Sequence, residues 1–352
     1  MSDKTNPGNF FEDFRLGQEI VHATPRTVTD GDVALYTALY GTRFAVQSSA
    51  AFARGLGLNR APVDDLLAFH VVFGKTVPDV SLNAVANLGY AAGRFGAPVY
   101  PGDTLSTTST VIGLRENSDG KTGVVYVRSV GVNDRAETVL DYVRWVMVRK
   151  GNADAPAPET VVPELPKAVD AGDLAVPAGL DTSSYDTALA GSAHLWDDYA
   201  VGEKIDHVDG MTIEEAEHMM ATRLYQNTAK VHFNQLTEKD GRFGRRIIYG
   251  GHIISLARAL SFNGLANAFK VAAINGGRHV APTFAGHTVH AWSEVLDKAE
   301  IAGRTDLGAL RLRTVATKDQ ACTDFPDKGD DGKYDASVVL DFDYWVLMPR
   351  GR

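Results

Sequence analysis

The chain has 352 residues, 44% hydrophobic and 22% charged, which suits two packed domains and excludes a disordered or collagen-like chain. Lys and Arg number 35 against 44 Asp and Glu, a formal charge of −9, which argues against a nucleic-acid or anionic-membrane binder. The single cysteine, Cys322, rules out an internal disulfide and a cysteine-rich zinc site, and no Cys–His signature marks it as a catalytic thiol.

The opening MSDKTNPGNF lacks the charged start and apolar run of a signal peptide. No stretch approaches the roughly 20 apolar residues that span a bilayer, so a cytoplasmic protein is expected. Thr29-Asp30-Gly31-Asp32 opens a helical stretch, VALYTALY, with a capping pattern. A second helix, LLAFHVVFGKTV from Leu66, is apolar nearly all round, as a buried helix is. Residues 104–114, 124–132 and 138–148 alternate and are rich in β-branched side chains, so they read as strands. The segment that follows carries Pro156, Pro158, Pro163, Pro166 and Pro177. It is expected to be extended and to run across the face of both halves. The order then recurs. TIEEAEHMMATRLY has Thr212 and Glu215 in a capping-box pattern, IISLARALSFNG from Ile253 is the second buried helix, and residues 288–296, 309–316 and 337–348 are strands.

The recurrence is a duplication. Phe11, Asp13, Phe14 and Gly17 match Trp196, Asp198, Tyr199 and Gly202, and Tyr40 matches Tyr225, all at a separation of 185. The run from Arg94 matches that from Arg278 at 184, and the run from Leu140 matches that from Leu340 at 200. The late jump places an insertion in the second copy, at residues 321–335, a polar and turn-rich stretch. The division is therefore 1–150, a linker at 151–190, and 191–352. One buried helix and a long antiparallel sheet per half make an α+β architecture.

Two motifs carry a resemblance. Arg94-Phe95-Gly96-Ala97-Pro98-Val99-Tyr100-Pro101-Gly102-Asp103-Thr104, and GRRIIYGG from Gly244, are similar to RFxAPVYxGDT and GRPIxHG of the MaoC-type (R)-specific enoyl-CoA hydratases. The whole chain, linker included, resembles the double-hot-dog mesaconyl-CoA hydratases (β-methylmalyl-CoA dehydratases) of that family. The resemblance implies a double hot-dog fold, each sheet wrapping its helix. It also implies a hydro-lyase acting on an enoyl-CoA, interconverting mesaconyl-C1-CoA and β-methylmalyl-CoA, with no cofactor and no metal. The expected partner is the acyl-CoA substrate, and further association of the pseudo-dimeric chain is left open.

The family holds its reacting water with an Asp-x-Asn-Pro-x-His motif. In the second half, Tyr225-Gln226-Asn227-Thr228-Ala229-Lys230-Val231-His232 stands in its place. His232 matches the histidine, the expected base, and Asn227 stands where the aspartate belongs. An amide transfers no proton, so either His232 serves both transfers or Tyr225, His252 or His279 supplies the second. In the first half Thr42 and Gln47 occupy the two positions, which implies one catalytic centre. By the same resemblance, Gly250 of Tyr249-Gly250-Gly251 offers its N–H to the thioester oxygen. Close approach there suits glycine and a helix N-terminus.

A free carboxylate on the substrate suits an arginine fork. Arg60, Arg94 and Arg278 lie in segments that line the groove in the family, with Ala61, Pro62, Val63, Ala97, Pro98 and Val99 beside them. Arg245 and Arg246 suit CoA phosphates, and Asn87 the thioester or amide portion. Glu214 and His218 are spaced as a solvated ion pair more than as metal ligands, and His287 and His290 face opposite sides of a strand. The alternatives are a straight-chain (R)-specific enoyl-CoA hydratase, an acyl-CoA thioesterase using Asp64 or Asp65, and a non-catalytic acyl-CoA binder. No G-x-G-x-x-G after a strand and no Walker lysine supports a dehydrogenase or a kinase.

Overall fold

A computed structural model describes residues 4–351; Met1–Asp3 of the polar opening and Arg352 lie outside the described residues. The first half contributes β1 (Glu19–Val21), β2 (Arg26–Thr27), α1 (Asp30–Tyr40), α2 (Ala45–Ser48), α3 (Ala50–Gly55), α4 (Asp65–Thr76), β3 (Ala84–Phe95), β4 (Thr104–Glu116), β5 (Thr122–Val132) and β6 (Thr138–Arg149). A short α5 (Thr187–Ala190) ends the linker. The second half repeats the pattern as β7 (Lys204–Thr212), α6 (Glu215–Leu224), α7 (Lys230–Phe233), α8 (Gln235–Glu238), α9 (Gly250–Leu260), α10 (Phe262–Leu265), β8 (Lys270–His279), β9 (Thr288–Glu300), β10 (Leu307–Lys318) and β11 (Val338–Pro349).

All six anticipated strands are present, and most run longer at their ends. Five further strands appear: the short β1 and β2 and the edge strand β7, which precede the first helix of each half, and β3 and β8, which alternation does not mark out. The sequences of β3 and β8, AVANLGYAAGRF and KVAAINGGRH, are rich in Gly and Ala and carry repeated bulges, which erases the period-two signal. These two strands join the halves. Tyr90 pairs with Gly277, Ala91 with Gly276, Gly93 with Ile274 and Arg94 with Ala273, antiparallel. The result is one continuous sheet in the order β1-β4-β5-β6-β3-β8-β11-β10-β9-β7, with β2 paired to β4. Its two arms mirror each other about the β3–β8 seam.

Each arm curls around its own helix, α4 or α9. In α4 every residue from Leu66 to Thr76 is buried, and in α9 every residue from Gly251 to Leu260. Such all-round burial explains the uniform apolarity of both runs. One cluster links both helices with the inner faces of both arms, so the halves share a core. Residues equivalent in the duplication meet across the seam. The hydroxyls of Tyr40 and Tyr225 are 2.7 Å apart, and His70 Nε2 lies 2.9 Å from Ser255 Oγ; each pair is 185 residues apart. The double hot-dog fold is thus a dimer-like pair within one chain.

Helix α1 is capped by Thr29 and Asp32, as expected. Helix α6 is capped by Glu214 and Glu217 instead of Thr212 and Glu215. Thr212 belongs to β7, where its hydroxyl meets Thr288, so the sheet takes it before the helix can. The linker leaves Val161 bridged to Leu114 of β4, and the Val169 carbonyl accepts from Trp345 Nε1 of β11. It therefore touches both arms. The insertion at 321–335 covers the Trp292 face, where the Pro326 carbonyl accepts from Trp292 Nε1. Cys322, within the insertion, is buried, and burial pushes its thiol up to about 11, as for an inert cysteine.

Candidate active site

His232 sits on α7, the short turn that follows the Tyr225–Asn227 corner. Its Nδ1 lies 2.9 Å from the Ile247 carbonyl. A carbonyl can only accept, so Nδ1 carries the hydrogen and Nε2 keeps the lone pair. Burial pushes the His232 pKa down to about 4, so the ring is neutral at physiological pH. A neutral imidazole with Nε2 free is what a general base requires.

Beside it, α9 begins at Gly250, with Tyr249 as its N-cap. The His232 and Tyr249 ring centroids are 5.5 Å apart. A β-carbon on Gly250 would lie 2.3 Å from the His279 ring, so His279 stands directly against the start of α9. His279 Nε2 is 3.2 Å from the Tyr90 hydroxyl, and burial holds its pKa at about 4. The helix N-terminus, with its outward N–H groups and partial positive charge, thus faces two neutral histidines.

Behind this front lies a polar network inside the core. Tyr40 bridges Tyr225 and His252, with its hydroxyl 2.9 Å from His252 Nδ1. Tyr36 donates to Ser255 Oγ, which also meets His70. Burial lowers His70, His218 and His252 to about 3. His218 is a correction to the expected ion pair with Glu214. It is fully buried, its ring 6.3 Å from that of His232, and neither ring nitrogen has a partner among the described residues. Helix α6 turns it inward, a placement that its spacing to Glu214 could not reveal.

Asn227 is buried, and its Oδ1 accepts from Ala229 N–H at 3.1 Å. It closes the turn that carries His232. Tyr225 is buried against Tyr40. Asn87 and Arg278 line a cleft of about 620 Å³ with Tyr90 and His279, which brings them to the edge of the same cluster. Lys75, Arg223, Gln226, Thr228 and Phe233 line a second cleft of about 410 Å³ beside the motif turn. Arg245 lies over Phe284 and donates to the Ala285 carbonyl; Arg246 is engaged by Glu215 and Met219.

The remaining candidates surround the first-half counterpart of this site. Arg60 pairs with Asp30 at 3.5 Å and Arg94 with Asp173 of the linker at 3.0 Å. Ala61 and Pro62 lead into Val63, whose N–H donates to the Val99 carbonyl, just past Ala97 and Pro98. The counterpart itself is closed. Helix α4 starts with Asp65 where α9 starts with Gly250, and the Asp65 carboxylate accepts from Lys270 Nζ at 2.6 Å and from Val271 N–H at 3.0 Å. Gln47, in the place of His232, donates to the Phe269 carbonyl. Burial beside Asp65 raises Asp64 to about 6. The plug depends on Lys270, which lies far along the chain, and no local pattern announces it. Among the described residues no group of His, Cys, Asp or Glu could hold a metal ion, and no helix is long and apolar enough to cross a membrane.

The chain matches the family model described as mesaconyl-CoA hydratase over residues 1–325. It is 73% identical to the β-methylmalyl-CoA dehydratase of Chloroflexus aurantiacus, with 99% of each chain covered. It is 63% identical to the mesaconyl-CoA hydratase of Cereibacter sphaeroides, covering 99% of this chain and 100% of that one. Among solved structures, a MaoC-domain protein from Chloroflexus aurantiacus superposes with a TM-score of 0.98 at 73% identity over the whole of both chains. A Mycobacterium tuberculosis protein with a double hot-dog fold gives 0.74 at 24% identity, covering 98% of this chain and 99% of that one; the likeness there is one of fold.

Proposed function

The chain belongs to the mesaconyl-CoA hydratase family, and on that premise we propose that it reversibly adds water to mesaconyl-C1-CoA to give β-methylmalyl-CoA. The observation that carries the chemistry is the His232 tautomer: Nδ1–H is committed to Ile247, which leaves Nε2 with its lone pair as the neutral base.

The thioester oxygen lies at the start of α9, where the Gly250 N–H donates to it. His232 Nε2 takes a proton from water as the oxygen attacks the β-carbon, and negative charge gathers on the thioester oxygen. The helix N-terminus holds that charge. The imidazolium then returns the proton to the α-carbon, so one water is added and no group is lost. His279, packed against Gly250, fixes the width of the site and excludes a bulkier residue there. Asn227 keeps the turn closed and leaves both proton transfers to His232. The CoA portion, with its phosphates, finds cations in Lys75 and Arg223 of the smaller cleft and in Arg278 of the larger.

Purified protein is incubated with mesaconyl-C1-CoA, the loss of conjugated enoyl-thioester absorbance is followed, and products are identified by mass. Gain of one water with the thioester intact is the expected result. Release of free CoA would move the protein to thioester hydrolysis. Turnover of crotonyl-CoA alone would overturn the dicarboxylic substrate.

A further inference from the structure

Three histidines of the second half stand together. The His218 ring, on α6, is 6.3 Å from that of His232 and 6.4 Å from that of His252, which lies just past Gly250 on α9. His218 is 0% exposed, and neither of its ring nitrogens has a partner among the described residues. His252 Nε2 is likewise buried and unpartnered among them, while its Nδ1 meets the Tyr40 hydroxyl. Burying an imidazole without hydrogen bonds is unfavourable, so packing alone does not account for His218.

The duplication supplies a control. At the separation of 185 that relates the halves, His218 corresponds to Val33, His232 to Gln47 and His252 to Leu67. Val33 and Leu67 pack in the shared core. The same fold therefore closes with apolar side chains at both places. The half plugged by Asp65 has none of the three imidazoles, and the half whose helix opens with glycine has all three.

Other polar groups around His232 are spent. Asn227 Oδ1 accepts from Ala229 N–H, Tyr225 meets Tyr40, and the Tyr249 hydroxyl lies 3.4 Å from His70 Nδ1. A water that gives one hydrogen to His232 Nε2 has a second hydrogen to place, and in a buried site it needs an acceptor. A neutral imidazole offers one. Ring centres 6.3 Å apart suit nitrogens spaced roughly 4–5 Å, the span of two hydrogen bonds through one oxygen.

We propose that His218 holds the reacting water against His232, accepting the hydrogen that His232 does not take. The water oxygen then keeps a lone pair for the β-carbon. One O–H bond breaks and its proton goes to His232 Nε2. The other stays with the oxygen as the new hydroxyl, still hydrogen-bonded to His218. In the reverse direction the same contact steadies the departing hydroxyl, and His218 gains no proton in either. This rests on the hydratase reading of the site and names the residue that orients the nucleophile.

The test measures kcat and KM for mesaconyl-C1-CoA, together with the urea midpoint, in wild type, His218→Val and His218→Gln. Wild type comes first: no hydration would overturn the hydratase reading and this proposal together, whereas the variants bear on His218 alone. His218→Val carries the side chain found in the first half. It is expected to lower kcat about a hundredfold, with KM nearly unchanged and a urea midpoint no lower than that of wild type. His218→Gln, which keeps an acceptor, is expected to regain about tenfold. A residue kept only for packing would make kcat follow the urea midpoint in both variants. That pattern overturns the proposal, as does an unchanged kcat in His218→Val.

Discussion

At His232 a single backbone carbonyl, that of Ile247, decides which ring nitrogen keeps its lone pair. His232→Ala is expected to lower kcat by roughly 10² to 10⁴, with circular dichroism unchanged, because the side chain makes one hydrogen bond, to Ile247. Its pH dependence follows from burial. With a pKa near 4 in the fold, the base stays unprotonated well below the ordinary histidine range. The acid limb of kcat/KM, which reports the free enzyme, should fall near pH 4, where an exposed histidine would give about 6.5; a limb at 6.5 would refute the buried-base reading. Gly250→Ala would drive a methyl into the His279 ring. A drop in kcat of about 10² is expected, larger than its effect on the urea midpoint. Motif position singles out His232 and Gly250, and the structure sets both beside Tyr249. The inward turn of His218 was invisible in the sequence, because whether a polar side chain turns inward depends on the helix face that tertiary packing selects.

Helices α4 and α9 are the same element put to opposite uses. Their N-termini are the equivalent anion-attracting positions, yet one opens with glycine, where the proposed reaction places the thioester, while the other carries its own carboxylate. Asp65→Ala would leave Lys270 buried without its partner. A loss of about 3 kcal/mol in urea unfolding is expected, with kcat of the folded fraction retained. Gln47→Ala, by contrast, should cost about 1 kcal/mol, the scale of one hydrogen bond, and spare kcat; a collapse of kcat would mean that the first half reacts as well. The buried helices and the outer strands were legible because each has one period and one face. Strands β3 and β8 were not. They are held by neighbours on both sides across the seam, so they tolerate small residues and bulges that no single-strand pattern describes. The same rivalry moved the α6 cap: Thr212 had a ladder to join, and the glutamates capped in its stead.

For the molecule as a whole, the interior is a store of unprotonated imidazole. His70, His207, His218, His232, His252 and His279 are all held near 3 to 4 by burial. Unfolded, each returns to about 6.5. Between pH 4 and 6.5 the unfolded chain therefore binds more protons than the folded one, and stability rises with pH through that window. Acidification from 6.5 towards 4 should lower the urea midpoint steeply and progressively, and a midpoint that stays level across this window would contradict the buried network. The duplication and the linker were readable in outline from constant spacings. The shared core was not, since nothing in either copy says that its tyrosines will meet their own counterparts.

That meeting across the seam has an evolutionary side. Two identical subunits must accept every substitution twice, once in each copy. A single chain is released from that rule. Asp65 opposite Gly250 and Gln47 opposite His232 are differences that no symmetric pair could hold. Joining the halves lets a change in one be kept without a matching change in the other, so one fold can present two unlike helix starts.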